Sequence, residues 1–169
     1  MPAAERPARI GFLLSQLGTR SAEVFAEQVR ALGVTPSEAG VVRIIGRGPA
    51  ITQRELADRL GTAPSRVVAL VDGLERKGLA QRTRGETDRR AQHLGLTESG
   101  RALLDELRKA AEAQEATIAK GLSAEQRGEL HVLLTALAAS LGLDVDVHPG
   151  YRHGTPDGPH SESRDRLKS

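Results

Sequence analysis

The residues best suited to chemistry are basic and lie in the middle of the chain. From Arg43 to His93 there are eleven lysines and arginines against six acidic residues, a net charge of +5 in a chain whose total is +2. Guanidinium groups bind phosphates and the edges of guanine, and a cationic segment between acidic flanks is typical of an element that binds nucleic acid. A solvated charged surface has the same composition, so the spacing of these residues must decide between the two interpretations.

The spacing divides the candidate residues into two groups. Arg66 falls in the first turn of a predicted helix with Thr62 and Ser65, where side chains of a helix in the major groove meet base edges and phosphates. Arginine there can form two hydrogen bonds to guanine. The second group lies in and beside a polar turn between two strand-like segments, and arginine at such a tip suits a narrow minor groove. Its members are Arg84, Asp88, Arg89 and Arg90.

Local capping signals predict the helices that position these residues. Capping boxes begin helices at Thr35, Thr52 and Ser123, each followed three residues later by Glu or Gln. Left-handed or helix-ending glycines are expected at Gly33, Gly61 and Gly78, and Thr62 is expected to cap the helix that contains Arg66.

A short β-hairpin and two long helices follow. The alternation in Leu79–Arg84 and Ala91–Leu96 predicts two strands joined by the polar turn, and Thr97 is expected to cap the next helix. The first helix and the last two have more apolar turns than one small domain can cover. We therefore expect these helices to be buried between subunits.

The segment from Ile51 to Gly100 resembles the DNA-binding core of MarR-type transcriptional regulators. The specific residues are Gly78-Leu79, Arg82, Asp88-Arg89-Arg90, Leu96-Thr97 and Gly100. In helix order alone, the resemblance extends from Ile10 to Leu141.

The resemblance implies a mainly α fold with a small β-hairpin, in which a winged helix-turn-helix is joined to a helical dimerisation region. It implies a homodimer on a pseudopalindrome of double-stranded DNA, with half-sites ~10 bp apart. By the same resemblance Arg90 enters the minor groove and Asp88 orients the wing through an ion pair. Members commonly repress genes and are released by small aromatic or anionic ligands, which bind between the dimerisation helices and the DNA-binding lobe. Many carry a polar or basic residue where this chain has Val68 and Ala69.

These observations predict how the chain is divided. Residues 1–34 and 98–142 are expected to form the dimerisation region, and residues 35–97 the winged helix-turn-helix. Residues 143–169 have the composition of a disordered tail. The irregular spacing of the tail histidines does not favour a metal site, and neither a metal nor a cofactor is expected. A small-molecule effector is implied by the resemblance alone.

Several function classes are excluded or disfavoured. The chain has no cysteine, which excludes disulfides and thiolate sites, and 2% aromatic residues, which disfavours stacking of single-stranded bases. No apolar run reaches the ~20 residues of a membrane span and no signal peptide is evident, so a cytoplasmic location is expected. We find no motif of a nucleotide-binding or hydrolytic enzyme. The alternative to a DNA-binding regulator is a winged-helix module that binds another protein.

Overall fold

The computed structural model describes residues 9–84, 92–144 and 147. Within them the chain forms six helices and three short strands. The helices are α1 (Ile10–Ala31), α2 (Pro36–Arg47), α3 (Gln53–Leu60), α4 (Pro64–Arg76), α5 (Glu98–Ile118) and α6 (Ala124–Ser140). The strands are β1 (Ile51–Thr52), β2 (Ala80–Arg84) and β3 (Gln92–Leu96). This architecture confirms the expected fold class, mainly helical with a small β-hairpin.

A single apolar core is built around α2. This helix contributes Val41 and Val42, which are fully buried; the amphipathic α4 packs against α2, and α3 packs against α4. Leu103, Leu104 and Leu107 of α5 close the core from the other side. Burial of these branched side chains is the main favourable term in folding, at about 25 cal/mol per Å² of apolar surface.

The capping signals predicted most helix starts correctly. Thr35, Thr52 and Ser123 each accept a hydrogen bond from the backbone N–H three residues on, and the reciprocal side-chain bond is present in all three cases. Each box satisfies backbone donors that have no partner within the helix. Gly33, Gly61 and Gly78 all have positive φ, as expected at the ends of the helices before them.

The expected N-cap of α4 was wrong. Ala63, not Thr62, is the N-cap residue, and it forms no side-chain capping bond. The reason is Pro64, which occupies the first helical position and so fixes the start of α4 one residue later than expected. Thr62 lies in the turn between the helices, where its N–H donates to the Ala57 carbonyl at 3.2 Å.

The three strands form one antiparallel sheet in the order β1-β3-β2. Ile51 pairs with Leu94 and Ala80 pairs with Leu96, so β3 is the central strand. Leu94 and Leu96 both face the core, as their alternation predicted. β1 was not predicted. It directly precedes α3 and pairs with β3, so it holds the start of α3 next to the hairpin.

The junction between the hairpin and α5 is tightly packed. The Thr97 hydroxyl donates to the Gly78 carbonyl at 2.6 Å and accepts from the Gly100 N–H at 3.0 Å. The Thr97 N–H donates to the Leu79 carbonyl at 3.2 Å. Only a hydrogen fits on Gly100 here, because a Cβ would lie 1.9 Å from that same carbonyl oxygen.

The two outer helices differ from the rest in how little of their apolar surface is covered. α1 buries Val24 and Val29, and Ser21 accepts a hydrogen bond from Gln114 of α5 at 2.8 Å. No residue of α6 is buried. Exposed apolar side chains on these helices include Ile10, Phe12, Leu13, Leu14, Leu17, Leu130, Val132, Leu133, Leu134 and Leu137.

Candidate nucleic-acid interface

Helices α3 and α4 form a helix-turn-helix with a very short turn. Gly61 adopts φ 61° and ψ 37°, the left-handed conformation that reverses the chain without a Cβ clash. Leu56 and Leu60 of α3 meet Val67 and Val71 of α4 in the core, and all four are fully buried. This packing fixes the angle between the helices and leaves the N-terminal turns of both accessible.

The accessible face of α4 is defined by helical spacing. Ser65, Val68, Ala69 and Asp72 are all exposed and recur at intervals of three and four residues, so they lie on one side of the helix. Arg66 lies off the centre of this face and is half-buried. Two predicted site residues, Ser65 and Arg66, therefore share the first turn of α4, and Thr62 lies just before it.

A shallow groove runs between α3 and α4 beside this face. Its volume is about 530 Å³, and it is lined by Gln53, Arg54, Asp58, Pro64 and Val68. Val68 is 42% exposed, although it is a β-branched apolar residue. The groove thus has an apolar wall formed by Pro64 and Val68, and polar side chains that include Arg54 and Asp58.

The hairpin carries the second group of predicted site residues. Arg84 ends β2, and its backbone pairs with Gln92 of β3. The side chain of Arg84 and the whole of Asp88, Arg89 and Arg90 lie outside the described residues. Their predicted roles in the wing stay predictions.

Arg82 links the hairpin to α4, a contact that the sequence analysis missed. Its guanidinium forms ion pairs with Glu75 and, at 2.6 Å, with Asp72, both on α4. The Arg82 N–H also donates to Glu75 at 2.9 Å, and Nε donates to Gln53 of α3 at 3.4 Å. One side chain therefore fixes the first hairpin strand against both helices. The available signal was the pair of acids three residues apart on one face of α4.

A second polar contact holds the end of α4 against the start of α2. Glu38 is almost fully buried and accepts hydrogen bonds from Lys77 Nζ at 2.7 Å and from the Thr35 N–H at 2.8 Å. Lys77 also donates to the Gly33 carbonyl at 3.0 Å. Burial raises the pKa of the Glu38 carboxyl, but the hydrogen bonds from Lys77 and Thr35 outweigh it, so the pKa lies below its ordinary value of 4.5.

Glu55 and His93 are two further polar residues near the sheet. The Thr52 backbone and hydroxyl donate hydrogen bonds to Glu55, and these bonds lower the pKa of its carboxyl. His93 pairs with Thr52 across β1 and β3 and with Thr83 across the hairpin. In the part of the chain that the structure describes, no three His, Asp or Glu side chains are grouped so that they could hold a metal ion. The same residues include no helix long and apolar enough to cross a membrane.

A second cavity lies between α2, β3 and α5. Its volume is about 400 Å³, and the lining residues are Ile45, Gly46, Leu96, Arg101, Leu104, Asp105 and Arg108. Arg108 pairs with Asp105 at 2.9 Å, and Arg101 donates to the Leu96 carbonyl at 2.9 Å. The cavity therefore combines apolar walls with two arginines that already have partners, and an anion held there would compete with Asp105 for Arg108.

Comparison with known proteins gives a consistent result. Residues 32–91 match the model of the MarR family. The chain is 33% identical over 129 residues to a putative transcriptional regulatory protein for the hcr operon of Thauera aromatica, which covers 76% of this chain and 78% of the relative.

Solved structures share the fold. The transcriptional repressor CouR, bound to a 23-mer DNA duplex, is 32% identical with a TM-score of 0.66, over 77% of this chain and 92% of that one. Wild-type MarR from E. coli, in its apo form, is similar with a TM-score of 0.69 at 22% identity, over 79% of this chain and 98% of that one.

Proposed function

Because this chain belongs to the MarR family of transcriptional regulators, we propose that it is a homodimeric repressor that binds a pseudopalindromic operator. Members of this family are DNA-binding regulators and not enzymes. The observation that carries the proposal is the exposed N-terminal face of α4, held on a rigid helix-turn-helix beside the hairpin. A helix presented in this way fits the ~12 Å major groove, and the hairpin lies where an adjacent groove would pass.

Each predicted site residue has a proposed role. Arg66 reads a base, most favourably guanine, from the first turn of α4, while Thr62 and Ser65 contact phosphates or base edges. Arg84 and Arg89 contact phosphates. Arg90 enters the minor groove, and Asp88 orients the hairpin tip. These roles rest on residue type, position in the chain and the family resemblance.

The proposed dimer uses the helices at the two ends of the described chain. Residues 1–34 and 98–142 form its interface, and residues 35–97 form the DNA-binding unit. Support comes from the apolar side chains that a single copy leaves exposed, of which Leu133 at 67% and Ile10 at 73% are examples. Many large apolar side chains exposed on the same helices are typical of a subunit interface.

We further propose that a small aromatic or anionic ligand releases the operator. The cavity lined by Arg101 and Arg108 supports this proposal, since it lies between the DNA-binding unit and α5. Such a ligand acts only through its difference in affinity for the bound and released forms. Titration of an operator complex with salicylate-type phenolic acids tests the proposal, and an unchanged affinity with all of them would leave a constitutive repressor.

Binding to duplex DNA as a function of salt is the central experiment. Duplexes are selected from a random pool with the purified protein, and the dissociation constant is then measured from 50 to 200 mM salt. The logarithm of the affinity should fall linearly with the logarithm of salt, with a slope of about −0.9 per phosphate neutralised. A flat response on selected and random duplexes alike would instead indicate the protein-binding module.

Two substitutions separate the proposed roles. Arg90→Ala should weaken binding to most sequences and reduce the salt slope by about one. Arg66→Ala should relax the preference at one base position per half-site, at a cost of about 1–3 kcal/mol there. An unchanged preferred sequence in the Arg66 variant would show that another residue reads that base. Arg76→Ala is the matched control, because Arg76 is an exposed arginine in the last turn of the same helix, far from the first turn that carries Arg66.

A further inference from the structure

Val68 is unusual among the residues of the DNA-binding unit. Of the described residues between α2 and the start of α5, it is the only large apolar side chain that is exposed. Its neighbours Val67 and Val71 fill the core, so Val68 is not needed for packing. Ala69 extends the same exposed face, and Pro64 stands beside Val68 in the wall of the groove.

The face of α4 that contains Val68 is the one that a major groove would meet. Val68 lies one turn after Ser65 and one turn before Asp72 on the exposed side of the helix. The edges of the four base pairs in the major groove are polar, with one exception, the C5-methyl group of thymine. An apolar side chain that faces the major groove cannot form hydrogen bonds with the polar edges, but it can bury apolar surface against the methyl group.

We propose that Val68 determines specificity by packing against the C5-methyl group of a thymine in each half-site, with Pro64 and Ala69 completing the apolar surface. This inference rests on the proposed DNA binding and goes beyond it, because it names the base that Val68 recognises and the group on that base that Val68 contacts. Arg54 and Asp58 line the same groove with charges of opposite sign, so the proposed contact depends on the apolar side chains and not on a net charge of the groove.

The test removes the methyl group and the side chain separately. Operators selected from the random pool are synthesised with each thymine of the half-site replaced in turn by deoxyuridine, symmetrically in both half-sites. Deoxyuridine keeps every hydrogen-bonding group and lacks only the methyl. Affinity of the wild-type protein should fall about fourfold per half-site at one position, about 0.8 kcal/mol for one methyl-sized group, and therefore roughly 15-fold for both.

Variants complete the cycle. In Val68→Ala the ratio of the thymine to the deoxyuridine affinity should fall to less than about threefold for the doubly replaced duplex, because the partner of the methyl is gone. Val68→Ile should keep the ratio. Val132→Ala is the matched control, since Val132 is an exposed valine of α6, and its ratio should equal that of the wild type even if its overall affinity changes.

The outcomes are distinct. A methyl-dependent position whose dependence disappears in Val68→Ala supports the proposal. Salt-dependent, sequence-selective binding with no methyl-dependent position, or with one that persists in Val68→Ala, overturns it and leaves the proposed function intact. Absence of any DNA binding overturns both together. Thermal melting of Val68→Ala within about 2 °C of the wild type establishes that the variant is folded, as expected for an exposed site.

Discussion

Replacing Gly100 with alanine tests whether α5 and the hairpin are packed as closely as the structure indicates. An alanine Cβ would lie 1.9 Å from the carbonyl oxygen of Leu79, whereas ordinary contact begins at 3.4 Å. The start of α5 and the Leu79 backbone must therefore separate by the difference, about 1.5 Å. The obstacle is backbone, so no side-chain rotation can relieve it.

The expected cost follows from the contacts that this separation breaks. Overpacking costs about 1–3 kcal/mol, and the loss of the Thr97 bonds to Gly78 and Leu79 adds about 1 kcal/mol each. The higher helix propensity of alanine offsets about 1 kcal/mol. We expect a net loss of about 3 kcal/mol, which lowers the melting temperature by roughly 6–12 °C for a chain of this size.

Thermal melting followed by circular dichroism measures this loss at a fixed protein concentration. Gly128→Ala in α6 is the control, because a Cβ there meets nothing within 4 Å, and it should stabilise the protein by up to ~1 kcal/mol. If Gly100→Ala melts at the wild-type temperature while the control behaves as expected, the close approach of Leu79 to α5 does not exist in solution.

Three further predictions concern polar contacts. Glu38→Gln should lower the free energy of unfolding by about 1–2 kcal/mol at pH 7, since the carboxylate is buried but Lys77 is partly exposed. Because the pKa of Glu38 is lower in the folded protein than in the unfolded chain, this contribution is fully present above about pH 4.5 and is lost as the pH falls through the pKa of the folded state. Urea unfolding of both proteins at pH 7 and pH 3 checks this, and an equal difference in stability at the two pH values contradicts it. Arg82→Gln should accelerate amide hydrogen exchange in β2, and unchanged exchange would show that strand pairing alone holds the hairpin. Thr97→Ala should lower the free energy of unfolding by about 1–2 kcal/mol but Thr62→Ala by less than about 0.5 kcal/mol, because of these two residues only Thr97 caps a helix. Thermal melts measure both, and a larger loss for Thr62→Ala would show that Thr62 is the cap.

Features fixed by neighbouring residues were predictable from the sequence. The capping boxes at Thr35, Thr52 and Ser123 were identified correctly because both partners lie within four residues. The same holds for the glycines that end helices and for the alternation in β3. The wrong N-cap at Thr62 could also have been avoided from the local sequence, since Pro64 two residues later marks the first position of α4.

Features set by distant partners were not predictable in this way. β1 is two residues long and is a strand only because β3 pairs with it, some forty residues later. The ion pairs of Arg82 and the contact of Glu38 with Lys77 likewise depend on the packed arrangement of α2, α4 and β2. The spacing of Asp72 and Glu75 marks an acidic face of α4, but only the packed arrangement shows that Arg82 is the residue that meets it.

The bare surface of α6 has a consequence for how the protein responds to its own abundance. A helix of 17 residues with no buried side chain in its own chain gains little from tertiary packing, which is the main source of helix stability in proteins. With a second copy as the proposed support, association supplies the missing free energy, so the ordered fraction depends on protomer concentration. For the proposed homodimeric repressor, doubling the protein concentration while it is scarce more than doubles the amount competent for DNA. Repression by that dimer then begins over a narrower range of expression than a monomer would give.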